Sequence, residues 1–122
     1  MEKNKSIINY LFVTYLIGVF IIHIIKTDGV IDLENYFLGI RKDHWMHAIL
    51  FFPLGFLSFP ALRTNKWLVL LFCYVTCCLF ETIHYILPYR SFDLMDMVAN
   101  SSGSTIGMVL YFLFNKLSGR LI

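Results

Sequence analysis

Charged residues are scarce in this sequence. They make up 15% of its 122 residues, against 58% hydrophobic residues, and the mean hydropathy is +0.70. A soluble domain of this length could not bury that much apolar surface, so the bilayer is expected to act as the solvent. The formal net charge is only +2 and the ten Lys and Arg residues are scattered, which argues against a nucleic-acid partner.

Cysteines and known catalytic motifs are also few. The three cysteines, Cys73, Cys77 and Cys78, lie in one apolar run, where they are expected to be packing residues rather than disulfide partners or zinc ligands. The sequence contains no HExxH zinc motif, no nucleophile elbow and no phosphate-binding glycine loop. We therefore predict neither a metal nor another cofactor from the sequence.

Four long apolar runs predict an all-α polytopic membrane protein. A helix of about 20 residues is long enough to cross a hydrocarbon core of about 30 Å. No small-residue cleavage pattern follows the first run, which is therefore expected to be an anchor and not a signal peptide. The predicted helices are 6–25, 44–62, 67–87 and 95–114, in one domain that covers residues 1–122.

The segments between these helices differ in character. Residues 26–42 mix charged and apolar side chains. They are expected to form a short element that lies on the membrane surface or packs over the bundle. The alternative is an ordinary loop. Only residues 63–66 separate the second helix from the third, so these two helices must form an antiparallel hairpin.

Polar residues concentrate where the second helix begins, the third ends and the fourth begins. These three places lie at the same membrane face, because successive helices cross in opposite directions. Spacings of three or four residues put polar pairs on one side of each helix. The candidate ligand-binding residues are Asp43, His47, Glu81, His84, Arg90, Asp93, Asp96 and Asn100.

Small and polar residues share one side of the fourth helix. At about 100° per residue, Asp93, Asp96, Asn100, Gly103 and Gly107 fall within an arc of roughly 80°. The two glycines form a small-xxx-small pattern, which lets membrane helices approach closely. We predict that they are helix-packing residues.

The first helix and the orientation give two further expectations. His23, near the end of the first helix, is expected to be a satisfied or interfacial histidine rather than a ligand. The face that holds the amino terminus has more basic residues than the other, six against four. This bias predicts that both termini are cytoplasmic and that the polar residues face outward. The six are Lys3, Lys5, Arg63, Lys66, Lys116 and Arg120, and the four are Lys26, Arg41, Lys42 and Arg90.

A family resemblance rests on residues 43–107. The pattern consists of Asp43-x-x-x-His47, Glu81-x-x-His84, Leu87-Pro88-Tyr89-Arg90, Asp93, Asp96, Asn100, Gly103 and Gly107. It resembles the VanZ-like family of small bacterial membrane proteins, named for a teicoplanin-resistance protein. In that family a lysine often stands at the position of His44, a glutamine at that of His84 and a glycine at that of Tyr89. The resemblance implies a multi-span protein of the bacterial cytoplasmic membrane, linked in some members to low-level lipoglycopeptide resistance.

Two functions from different classes remain open, beside a purely structural one. In the first, an outer-face polar pocket binds an amphiphile: a lipid headgroup, a lipid-linked wall precursor or the acylated antibiotic. Arg90 would supply a fork for phosphate or carboxylate, oriented by Glu81, Asp93 and Asp96. In the second, the Asp/His/Glu cluster belongs to an enzyme that acts on a lipid-linked substrate by acid–base or metal chemistry. The structural alternative is a polar network that only pins helices together.

Overall fold

The computed structural model describes residues 2–26 and 35–119. It contains four long helices, each apolar enough to cross a membrane, so the expected fold class is confirmed. They are α1 (Glu2–Ile24), α2 (Lys42–Leu62), α3 (Lys66–Ile86) and α4 (Leu94–Leu117). Their ends differ from the sequence expectation by up to four residues, because a helix does not have to end where its apolar run ends.

A small hairpin precedes α2, while residues 27–34 of the same connection lie outside the described residues. Strands β1 (Tyr36–Phe37) and β2 (Ile40–Arg41) pair antiparallel, with Tyr36 opposite Arg41. Both turn residues have positive φ, 52° at Leu38 and 76° at Gly39, as a tight two-residue hairpin requires. The described part of this connection is therefore a folded element, and its Tyr36, Phe37 and Leu38 side chains are exposed.

Helices α2 and α4 approach each other most closely, because glycines line their contact. A Cβ atom placed on Gly103 would lie 1.9 Å from the carbonyl oxygen of Ala48, and one on Gly107 would lie 2.1 Å from that of Phe52. Gly55 of α2 makes the reciprocal contact, where a Cβ would lie 1.8 Å from the Ser104 carbonyl oxygen. Backbone therefore packs on backbone along this interface.

The interior of the bundle is mostly apolar, and its buried histidine and carboxylate side chains lie at one end. Its buried apolar residues include Phe12 and Val19 from α1, Phe51 and Leu54 from α2, and Met108 from α4. All three cysteines are free thiols, two of them buried in this core. Most outward-facing side chains of the helices are large and apolar, as expected for surfaces that contact lipid.

Candidate functional site

Buried and partly buried polar side chains meet where α2 begins, α3 ends and α4 begins. We call this set the polar cluster: His44 and His47 from α2, Glu81 and His84 from α3, and Asp96 and Asn100 from α4. Glu81 and Asn100 are fully buried, and His84 and Asp96 are nearly so. Ionisable groups buried inside a membrane-spanning bundle are costly and typically mark functional sites.

Paired side chains join α2 to α4. Both helices begin at the same face and run parallel, so successive turns can pair. His44 Nδ1 donates to Asp96 Oδ1 at 2.7 Å, and one turn later His47 Nδ1 donates to Asn100 Oδ1 at 2.8 Å. His47 Nε2 also lies 3.6 Å from Asp96 Oδ2. Two pairs of polar side chains, one helical turn apart, thus hold α2 and α4 in register.

Glu81 links α3 to the start of α4. Its Oε1 atom accepts a hydrogen bond from the backbone N–H of Asp93 at 3.0 Å and one from His84 Nδ1 at 3.2 Å. The Asp93 side chain in turn caps α4 by accepting from the N–H of Met95 at 2.8 Å. One carboxylate thus positions the residue that begins the helix.

A second group of charged residues, which we call the rim, lies beside the polar cluster. It consists of Arg41, Asp43 and Asp93. The Arg41 guanidinium contacts the Asp43 carboxylate and lies 3.5 Å from Asp93 Oδ2. The Arg41 side chain is 38% exposed. Sequence reasoning did not select Arg41, although its place two residues before Asp43 was a usable signal.

Arg90 lies elsewhere than its expected role requires. Its Nη2 donates to the carbonyl of Ile25 at 2.7 Å and, more weakly, to that of Ile22 at 3.4 Å. The last carbonyls of a helix have no partner within the helix, and a cation stabilises that end. Arg90 therefore caps α1. Among the described residues it makes no ion pair with a carboxylate, so the structure does not bring it together with the other candidate residues.

His23, which the sequence predicts to be a satisfied or interfacial histidine rather than a ligand, packs against the polar cluster. It is buried, and its Nδ1 donates to the Val19 carbonyl at 2.9 Å. Its ring stacks on that of His84 with centroids 5.2 Å apart, and it lies 5.6 Å from the ring of His47. All four histidines of the chain therefore meet at this end, His23 because α1 ends at the same face.

Several buried atoms of this region have no hydrogen-bond partner among the described residues. They are Glu81 Oε2, His84 Nε2, His23 Nε2 and Asn100 Nδ2. Leaving a buried donor or acceptor unpaired costs about 1–3 kcal/mol. Two groups of residues could also hold a metal ion, namely Asp43 with His44 and Asp96, and His47 with Glu81 and Asp96. The site therefore has unused capacity for a ligand.

A separate cavity lies at the opposite end of the bundle. Its volume is about 1010 Å³, and Arg63, Lys66, Trp67 and Lys116 are among its lining residues. It contains no residue of the polar cluster or its rim. The described residues thus form two separate polar regions, one at each end of the bundle.

Comparison with known proteins assigns most of the chain to a family. The family model described as VanZ/LLP1 matches residues 5–115, which include the whole polar cluster and its rim. Neither the curated proteins nor the solved structures gave a significant match. The match extends well beyond the motif residues from which the resemblance was inferred. With four helices among its described residues that are long and apolar enough to cross a membrane, the chain is an integral membrane protein that belongs to the VanZ/LLP1 family.

Proposed function

We propose that the rim and the polar cluster bind the head of an amphiphile at the outer face of a bacterial cytoplasmic membrane. The amphiphile is a lipid, a lipid-linked wall precursor or a lipoglycopeptide antibiotic such as teicoplanin, and a contribution to glycopeptide resistance belongs to this proposal. The observation that carries it is Arg41, which is partly exposed and linked through Asp93 to buried groups that lack partners. The outward orientation rests on the bias in basic residues.

Arg41 takes the role that the sequence suggested for Arg90. Its contact with Asp93 is long, at 3.5 Å, and exposed ion pairs contribute only about 0–1 kcal/mol. A phosphate or carboxylate could therefore replace Asp93 at little cost. The planar guanidinium fork suits either anion and can bind it through two parallel hydrogen bonds.

The apolar part of the amphiphile has a surface beside Arg41. In the hairpin Tyr36 is the direct partner of Arg41, and Tyr36, Phe37 and Leu38 expose apolar surface. Trp45 Nε1 donates to the carbonyl of Phe37 at 3.1 Å, which ties the hairpin to α2. An acyl chain can lie along these side chains while the head contacts Arg41.

The two tryptophans of the chain allow binding at each end to be measured separately. Trp45 lies beside the hairpin and Trp67 lines the opposite cavity. In a Trp67→Phe background, phosphatidylglycerol brominated in its acyl chains is expected to quench Trp45. Arg41→Gln should weaken this binding roughly 10–100-fold, since a hydrogen bond to a charged group contributes about 1.5–3 kcal/mol.

Arg63→Gln is the matched control, because Arg63 is also an exposed arginine but lies at the opposite end. It should leave the quenching of Trp45 unchanged. Thermal unfolding in detergent should change little for Arg63→Gln, which loses an exposed contact, and fall slightly for Arg41→Gln, whose contact with Asp43 is partly buried. Equal effects of the two substitutions on Trp45 quenching, or none from Arg41→Gln, would contradict the proposal.

An enzyme that acts on a lipid-linked substrate is the second candidate function. The observation that favours it is the 2.7 Å contact between His44 Nδ1 and Asp96 Oδ1. A carboxylate that orients an imidazole in this way is a recurring arrangement for a general base. Turnover of a lipid-linked substrate, rather than binding alone, would distinguish the enzyme from the binding protein.

A further inference from the structure

Three residues of the polar cluster share an unusual feature. His47, Glu81 and Asp96 come from three different helices. Each has one side-chain atom held by the protein and a second atom without a good hydrogen-bond partner. Potential ligand atoms of the three residues all lie within 4.8 Å of one another.

His47 is held as metal-binding histidines usually are. Its Nδ1 must donate to Asn100 Oδ1, 2.8 Å away, because a carbonyl oxygen can only accept. In the neutral ring Nε2 then carries a lone pair, and it lies 3.6 Å from Asp96 Oδ2. Two ligands of a tetrahedral zinc ion are separated by about 3.4 Å, given metal–ligand distances of about 2.1 Å. A hydrogen bond from the second ring nitrogen to an oxygen is the usual support for such a ligand.

In each of the two carboxylates, one oxygen atom accepts a hydrogen bond from the protein and the other has no close hydrogen-bond donor. Asp96 Oδ1 accepts from His44, which leaves Oδ2 beside His47. Glu81 Oε1 accepts from His84 and from the backbone of Asp93. Glu81 Oε2 is buried and has no partner among the described residues, and the whole Glu81 side chain is inaccessible to solvent.

Among the described residues, histidines are the only basic side chains within ion-pair distance of the two buried carboxylates, Glu81 and Asp96. Arg41 contacts the rim carboxylates and Arg90 caps α1. Buried charges are strongly unfavourable unless they are paired or bind a metal. A divalent cation between them would neutralise both.

We propose that His47, Glu81 and Asp96 bind a divalent transition-metal ion of the zinc class, with at least one coordination position left for water. One imidazole nitrogen and two carboxylate oxygens are suitable ligands for such an ion. The second possible group is less suitable, because Asp43 is already paired with Arg41. Because the three ligands come from three different helices, they form no short sequence motif. A search of the sequence for metal-binding motifs therefore could not find this site.

Zinc binding to the purified chain tests this proposal without any amphiphile. Protein that carries no histidine tag is stripped with a chelator, dialysed against Zn²⁺ and analysed for metal content and thermal unfolding in detergent. The wild type is expected to retain one zinc per chain and to unfold at a higher temperature with zinc than without it. Glu81→Gln should lose both effects, although it keeps an acceptor for Asp93. Asp96→Asn provides a second ligand variant if that one folds poorly.

Asp43→Asn is the matched control, because Asp43 is the carboxylate that only the second group uses. It should retain one zinc. Wild-type protein that retains no zinc and shows no thermal shift would overturn the proposal, and so would zinc that is lost from Asp43→Asn but kept by Glu81→Gln. The lipid titration of Arg41→Gln can be run in chelator, so failure of the metal site and failure of the headgroup site are distinguishable.

Discussion

Gly103→Ala is expected to destabilise the bundle by about 3 kcal/mol, at the upper end of the usual cost of overpacking. The added methyl group would lie 1.9 Å from the Ala48 carbonyl oxygen. The obstructing atom belongs to the backbone of α2, so no side-chain rotation can relieve the contact. Helices α2 and α4 must therefore move apart, which weakens the packing that holds membrane helices together.

Gly18→Ala provides the control for this substitution. Gly18 lies within α1, and a Cβ placed there meets nothing within 4 Å. Alanine favours a helix over glycine by about 0.5–1 kcal/mol, so this variant should be as stable as the wild type or slightly more so. Unfolding of both variants in mixed detergent measures the difference. Equal stabilities would show that α2 and α4 do not touch through Gly103.

Glu81→Leu is expected to lower the free energy of unfolding by about 2–4 kcal/mol. The substitution leaves the Asp93 N–H and His84 Nδ1 without their acceptor, and each buried donor left unpaired costs about 1–3 kcal/mol. Because Asp93 caps α4, loss of the hydrogen bond to its N–H should increase hydrogen exchange at the first turn of this helix.

Glu81→Gln separates the hydrogen bonds of Glu81 from its charge. Glutamine has nearly the same shape and still offers an oxygen to the Asp93 N–H. In the presence of a chelator, its stability should be close to that of the wild type. Thermal unfolding and hydrogen exchange of both variants show whether the hydrogen bonds of Glu81 or its charge stabilises the start of α4. If Glu81→Leu also behaved like the wild type, Glu81 would not hold α4 in place.

The sequence was sufficient to predict the end of the bundle at which the polar residues meet. A membrane helix has a nearly fixed length, and successive helices alternate in direction. The ends of α1 and α3 and the starts of α2 and α4 therefore share a face. The spacing of Glu81 from His84 then places that pair on one side of its helix, and the structure shows the two in contact.

The sequence could not predict which hydrogen-bond and ion-pair partners the residues at that face would have. Arg90 binds backbone carbonyls at the end of α1, and a pattern of side chains carries no information about such acceptors. Arg41 reaches Asp93 because it is the N-cap residue of α2, which begins beside the start of α4. The burial of His23 depends on the rotation of α1 about its own axis, which a nearly uniformly apolar helix does not reveal.

The glycine contacts illustrate the same limit. Gly103 and Gly107 could be recognised because they repeat on one side of a helix. Gly55 is a single glycine in an apolar run, and its close contact with the Ser104 carbonyl becomes apparent only when both helices are placed.

A density map of the protein purified with bound lipid tests the central claim, that the head of an amphiphile lies beside Arg41, most directly. We expect density for a phosphate or carboxylate within about 3 Å of the Arg41 guanidinium, with an acyl chain along Tyr36 and Leu38. An Arg41 that contacts only Asp43 and Asp93, with headgroup density confined to the cavity lined by Arg63 and Lys116, would contradict the claim.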